Sequence, residues 1–244
     1  MHHVVLESWS RQKSFLHERD PRVKILTTIV FLVVVATTPV VDPRQATGYA
    51  VFLLAALLLA HLPAGPLLAR AAVVLPFTGT FAILSALNGD PERSVALLVK
   101  SYYSAVAVLL LVGTTPLPRL LHAMERLGIP RMLVLVVQFL YRYLFVISEQ
   151  AQHMRLAARC RGDVARRGIS SRNSRFRAAA GALAVLFGRS YQRAEAIHRA
   201  MLSRGFSGKI RPLRGLSLQW ADYIYLATAV AILVMLRFGG KILA

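Results

Sequence analysis

Few side chains in this 244-residue sequence are of types that do chemistry, and their spacing limits what that chemistry can be. Seven histidines (His2, His3, His17, His61, His122, His153 and His198) would suit a transition metal, since imidazole is a common ligand for such ions. Only His2 and His3 lie close together, and no cysteine or carboxylate set accompanies them, so the chain is read as ligating no metal and holding no cofactor. A Gly-x-x-x-x-Gly-Lys-Ser/Thr phosphate loop is missing, and no serine stands at a strand-to-helix elbow, so the chain is read as non-catalytic. What recurs instead is arginine beside glycine. Arg159-Cys160-Arg161-Gly162 and Leu202-Ser203-Arg204-Gly205 each run small residue, Arg, Gly. Helix termination explains either one alone, since Gly relieves the backbone and Arg complements the negative end of the dipole. Two copies on consecutive amphipathic helices point further, to a guanidinium fork held out for the carboxylates and carbonyls of a docked partner.

The helices that would carry these ends follow from periodicity. Apolar residues recur at Leu133, Val136, Leu140, Leu144, Ile147, Ala151, Met154 and Ala158, which predicts one helix of about 30 residues stopping at Gly162. Its first half, Met132–Ile147, is apolar on most sides; its second half is amphipathic. A basic linker, Arg166 to Arg175, separates it from a second helix expected from Phe176 to Gly205. That helix should place Ala194, Ile197 and Met201 on one face, with Arg189, Arg193 and Glu195 elsewhere.

Everything else is dominated by apolar runs. Hydrophobic residues make up 56% of the chain and mean hydropathy is +0.52, yet the formal charge is +19. This combination excludes disorder and a soluble nucleic-acid binder, and points to an integral membrane protein with a basic face. Five spans are expected: Ile25–Val41, Ala46–Leu62, Leu67–Leu87 with Pro76 inside, Val95–Thr115 and Leu216–Leu236. The first begins only after a polar, mixed-charge stretch, so no secretory signal is expected.

Arg11, Lys13, Arg19, Arg22 and Lys24 place the N-terminus on the cytoplasmic side, and the poorly charged loops at Asp42–Arg44 and Asn88–Arg93 outside. Residues 116–215 hold 19 of the 30 Lys and Arg against four acids. Were Met132–Ile147 to cross, the eight arginines from Arg155 to Arg177 would lie outside, against the charge bias. The better reading keeps that whole stretch cytoplasmic. It leaves Arg237 and Lys241 outside, a small mark against it. The expected organisation is an all-α polytopic protein: a four-span bundle over 1–131, long amphipathic cytoplasmic helices over 132–215, and a last span in 216–244. The lone Cys160 should be a free thiol on the reduced side.

Several stretches together resemble the transmembrane T-component of energy-coupling-factor (ECF) transporters, within it the CbiQ family of cobalt transport. They are Met1-His2-His3, Asp20-Pro21-Arg22-Val23-Lys24, Gly128-Ile129-Pro130-Arg131, Tyr141-Arg142-Tyr143 with Glu149, and Arg189–Glu195 leading into Ala200–Gly208. The family signature is two Ala-Arg-Gly motifs. Here Arg161-Gly162 and Arg204-Gly205 are kept, with Cys160 and Ser203 in place of Ala; both replacements are small. The resemblance implies that Cys160, Arg161, Gly162, Ser203, Arg204 and Gly205 couple the chain to two ATP-binding subunits of ABC type. It also implies a second partner, a substrate-binding membrane subunit that would be metal-binding and CbiM-like. The setting implied is the cytoplasmic membrane of a prokaryote, with cobalt as cargo and nickel or biotin importers as alternatives. From another class, a membrane-anchored basic binding module stays open. Nucleic acid is not expected as a partner, because no interleaved stacking aromatics accompany the arginines, and anionic membrane lipids account for many of them. A secondary transporter would show polar residues within its spans or inverted repeats, and neither is visible.

Overall fold

The computed structural model describes residue 9 and residues 14–38, 43–160, 172–208 and 218–242, and all regular structure among them is helical. In chain order the helices are α1 (Phe15–Glu18), α2 (Pro21–Thr37), α3 (Pro43–Ala60), α4 (Ala64–Ala71), α5 (Leu75–Leu87), α6 (Pro91–Thr114), α7 (Leu117–Arg126), α8 (Arg131–Ala158), α9 (Arg172–Ser203) and α10 (Trp220–Ile242). Two compact units result, Met1–Ile129 with Gly215–Ala244, and Pro130–Arg214.

Local chemistry sets the helix starts in the first unit. Asp20 caps α2, its side chain accepting from the Arg22 N–H at 2.9 Å while Pro21 occupies the first turn, where a missing N–H breaks no bond. The expected third span is one apolar stretch interrupted by a 3₁₀ turn at Ala72–Val74; Pro76 falls in the first turn of α5, so it starts a helix and does not kink one. Gly128 has φ +107, its N–H bonds Glu125 O, and the Ile129 N–H reaches back to Met124 O, which closes α7 in a left-handed cap.

The core of this unit is aromatic and aliphatic. Phe31 stacks on Phe52 with centroids 5.7 Å apart and meets Tyr49 edge-on at 6.1 Å, beside buried Leu53, Leu57, Val106 and Leu233. Gly48 lets α3 approach α10 closely, since a Cβ there would sit 2.6 Å from a terminal methyl of Leu236. Helix directions alternate. The start of α2, the end of α6 and the start of α10 meet at one end; the end of α2 and the end of α10 meet at the other. Outward positions such as Leu54, Leu58, Phe77, Ile83 and Leu87 are exposed apolar side chains, as lipid-facing surfaces require.

Five helical stretches among the described residues are long and apolar enough to cross a membrane: α3, Ala64–Leu87, α6, α8 and the Trp220–Phe238 part of α10. The set differs in one member from the expected five. Helix α2 has 17 residues, shorter than these, whereas α8 runs unbroken for 28, well past the 16-residue apolar run at its start.

In the second unit α8 and α9 pack together. Helix α9 starts at Arg172, so the end of the expected basic linker is already helical. Its half-buried stripe is Leu186, Ser190, Arg193, Ile197 and Met201, at spacings of four, three, four and four. Arg193 therefore belongs to the packed face and Ala194 is exposed, the reverse of the expectation. An arginine can line an apolar face with its methylene stem and keep its head in water.

Candidate functional site

The end of α9 shows how this sequence makes a rigid arginine tip. Gly205 sits at φ +75, its N–H bonds Leu202 O at 3.0 Å, and the Phe206 N–H bonds Met201 O at 3.0 Å. That pair of reversed bonds is a Schellman cap, which uses up the last carbonyls and fixes the turn. Ser203 is exposed, and its hydroxyl donates to Ala200 O at 3.0 Å. Arg204 lies between the two on an exposed turn, with no ion pair or side-chain hydrogen bond recorded for it among the described residues. A Cβ at Gly205 would meet nothing within 4 Å, so the constraint there is backbone conformation and not space.

At the other tip, α8 ends at Ala158 and the chain continues through Arg159 and Cys160 in one wider π turn, Cys160 being exposed with a free thiol. Arg161 and Gly162, the second arginine–glycine pair, lie outside the described residues. Thus three of the six expected coupling residues, Ser203, Arg204 and Gly205, form one capped tip, and Cys160 lies just past the end of the neighbouring helix.

A second polar cluster, which the sequence reading did not single out as a site, sits in the first unit. Lys24 is buried, and its ammonium donates to Thr114 O at 3.1 Å, Thr115 Oγ1 at 3.2 Å and His17 O at 3.5 Å. Asp222, also buried, accepts from the Asp20 N–H at 3.3 Å and from the Gln219 N–H at 3.0 Å, and pairs with Arg19 at 3.7 Å. The bond to Gln219 is the reach-back half of a capping box at the start of α10. Asp20 Oδ2 is buried with no hydrogen-bond partner among the described residues. His17, in α1, joins through Nε2, which donates to Trp9 O at 3.0 Å, and Nδ1, which lies 2.7 Å from the Ser14 hydroxyl. Burial holds this imidazole below its ordinary value; the Trp9 carbonyl pulls the other way and the Lys24 ammonium adds to the lowering.

The opposite end of the bundle explains Arg237. Its guanidinium donates to Val34 O, Thr37 O and Thr38 Oγ1 at 3.2–3.4 Å, and Lys100 donates to Thr38 O. Two cations thus satisfy the orphan carbonyls at the C-terminus of α2 and face the negative end of its dipole. Arg237 is therefore a structural cap of α2.

The histidines do not converge. His61 stands exposed at a left-handed turn with φ +51, His122 pairs with Glu125 at 3.6 Å, and His153 and His198 are exposed on α8 and α9. Among the described residues no group of three or more His, Cys, Asp or Glu could hold a metal ion. His2 and His3 lie outside them.

Comparison with known proteins adds the following. The model of the family described as "CbiQ: Cobalt transport protein" matches residues 12–213. A cobalt transport protein CbiQ of Rhodobacter capsulatus is 32% identical over 154 residues, 63% of this chain and 61% of that protein. The energy-coupling factor transporter transmembrane protein EcfT of Bacillus selenitireducens is 26% identical over 270 aligned residues, 99% of this chain and 96% of the relative. An uncharacterized protein of Methanocaldococcus jannaschii is 25% identical over 96% of this chain and 85% of its own length.

Proposed function

Since the chain belongs to the CbiQ family of transporter membrane components, we propose that it is the coupling subunit of an ATP-driven ECF importer, passing the motion of two ABC-type ATPases to a substrate-binding membrane subunit, with cobalt as the cargo. The observation that carries this is the tip of α9: an exposed arginine locked by a Schellman cap on a 32-residue helix, in a chain matched to that family over most of its length. A stiff helix with a charged fork at its end suits insertion into a partner's groove, and ATP-driven closure of the ATPases would then displace it. The tip of α8, with Cys160, Arg161 and Gly162, is assigned the same role toward the second ATPase. Substrate choice would rest with the membrane partner, a metal-binding subunit.

Orientation belongs to the same proposal. The first unit's chain arrives at Thr114 and departs again from Trp220 at one end of its bundle. An even number of crossings must therefore lie between, and α9, with its arginines along most of its length, is a poor span. Zero crossings fits best, which puts 132–215 on the cytoplasmic side with the N-terminus. A tagged chain solubilised in mild detergent should bring down an ATPase with a phosphate loop and a small multispanning subunit. Recovery of the folded chain alone, or with nucleic acid, sinks the coupling role. An Arg172→Cys variant lacking Cys160 should react with an impermeant thiol reagent from the cytoplasmic side only; labelling from outside would refute the orientation.

A further inference from the structure

Helices in a bilayer gain little from apolar contact with each other, because a leucine facing lipid is about as well placed as one facing protein. Polar contact is what keeps one span from sliding along another. In the first unit, α10 is fastened to α2 at both ends: through Asp222 to the Asp20 N–H and Arg19 at one, through Arg237 to Val34, Thr37 and Thr38 at the other. Only the first fastening lies where the second unit is attached. Thr115, which accepts from Lys24, leads directly into α7, which packs on α2, and the first unit yields to the second after Ile129. The second unit ends at Arg214, and Gln219, a few residues on, has its N–H held by Asp222. Both covalent links to the second unit are thus rooted in one buried network, with Lys24 gripping the outgoing strand and Asp222 the returning one.

We infer that Lys24, Thr115 and Asp222 are positioning residues for coupling: their network is the fixed point from which displacement of the second unit is delivered to the membrane bundle. The inference rests on the coupling role proposed above. A loosened network would let the two links move while the bundle stays still, so ATP would be hydrolysed without transport. Buried hydrogen-bonded networks of this kind are stiff because each unmade bond is costly in a low dielectric.

The test uses the complex captured by the tagged full chain, reconstituted in liposomes, with cobalt(II) uptake and ATP hydrolysis measured together. Asp222→Asn should still capture the ATPase, and cobalt(II) carried per ATP should fall about fivefold or more, the lower bound of typical coupling between sites. Arg237→Gln, which loosens the opposite end where no link is attached, should leave that ratio within about twofold of wild type. A normal ratio in Asp222→Asn, or an equal fall in Arg237→Gln, overturns the inference, since either would make the network merely structural. Should Asp222→Asn fail to accumulate, Thr115→Val removes one bond to Lys24 with little change of shape and is judged by the same criterion. A wild-type chain that captures no ATPase refutes the coupling role itself and this inference with it, and that failure is recognisable because it needs no variant.

Discussion

Lys24 and Arg204 are both cations at helix ends, in opposite circumstances. Lys24 is 5% exposed with three oxygens around its ammonium and two carboxylates nearby, whereas Arg204 stands on an exposed turn. A buried charge is tolerable only when its partners are already in place, and such a group is fully committed to its own fold. An exposed guanidinium on a capped turn has its geometry fixed and its donors unspent. The difference separates what holds this protein together from what it offers to others. It also identifies which kinds of substitution should distinguish the two regions.

The largest expected effect is on association. Replacing Arg161 and Arg204 together by Ala should abolish recovery of the ATPases and transport, while the chain still inserts and unfolds at its usual temperature. Each single change should weaken attachment by about 2–5 kcal/mol if the guanidinium becomes a desolvated, paired anchor. Intact complexes from the double variant would erase the contrast from the Arg204 side.

Lys24→Met should do the reverse. It leaves Thr114 O and Thr115 Oγ1 without their donor, at a cost of about 1–3 kcal/mol of stability. Arg204→Ala should change stability by no more than about 0.5 kcal/mol, as exposed positions do. Unfolding in detergent, followed by circular dichroism, measures both. Equal losses would mean that the tip is also part of the fold.

How far these regions were legible in the sequence follows from the same physics. The α9 tip was readable because a cap is local: Gly205, Ser203 and the apolar spacing before them specify the turn without distant help. The apolar spans were readable for the same reason, although α8 and the 3₁₀ break at Ala72–Val74 show that composition does not fix where a helix continues. The Lys24 network was not readable, because it joins residue 20 to residue 222 and residue 24 to residue 114. Asp20-Pro21-Arg22-Val23-Lys24 stood out only as a stretch resembling a family. Arg237 counted against the topology because its partners, two terminal carbonyls of α2 and the Thr38 hydroxyl, are atoms that no sequence pattern links to it.

Gly205→Ala is a finer probe of the exposed region. The left-handed conformation costs a residue with a Cβ about 1–2 kcal/mol, so the cap should fray and ATPase capture should weaken by less than in Arg204→Ala, with no change in the bundle's unfolding. A capture as weak as that of Arg204→Ala would mean that the cap and the guanidinium act as one unit.

The smallest effect should come from His17, at the margin of the buried region. Its neutral form suits the site: Nε2–H donates to Trp9 O, and Nδ1 is left to accept from the Ser14 hydroxyl. Burial lowers its folded pKa below the 6.5 of the unfolded chain, so protons bind the unfolded state preferentially. The stability linked to this group is fully present above pH 6.5 and is lost as pH falls through the lower folded value. The unfolding midpoint should therefore be flat above neutrality and decline in mildly acidic buffer, with part of the decline missing in His17→Gln. A decline that is unchanged in His17→Gln would show that His17 does not set the pH sensitivity, and would take α1 out of the buried network.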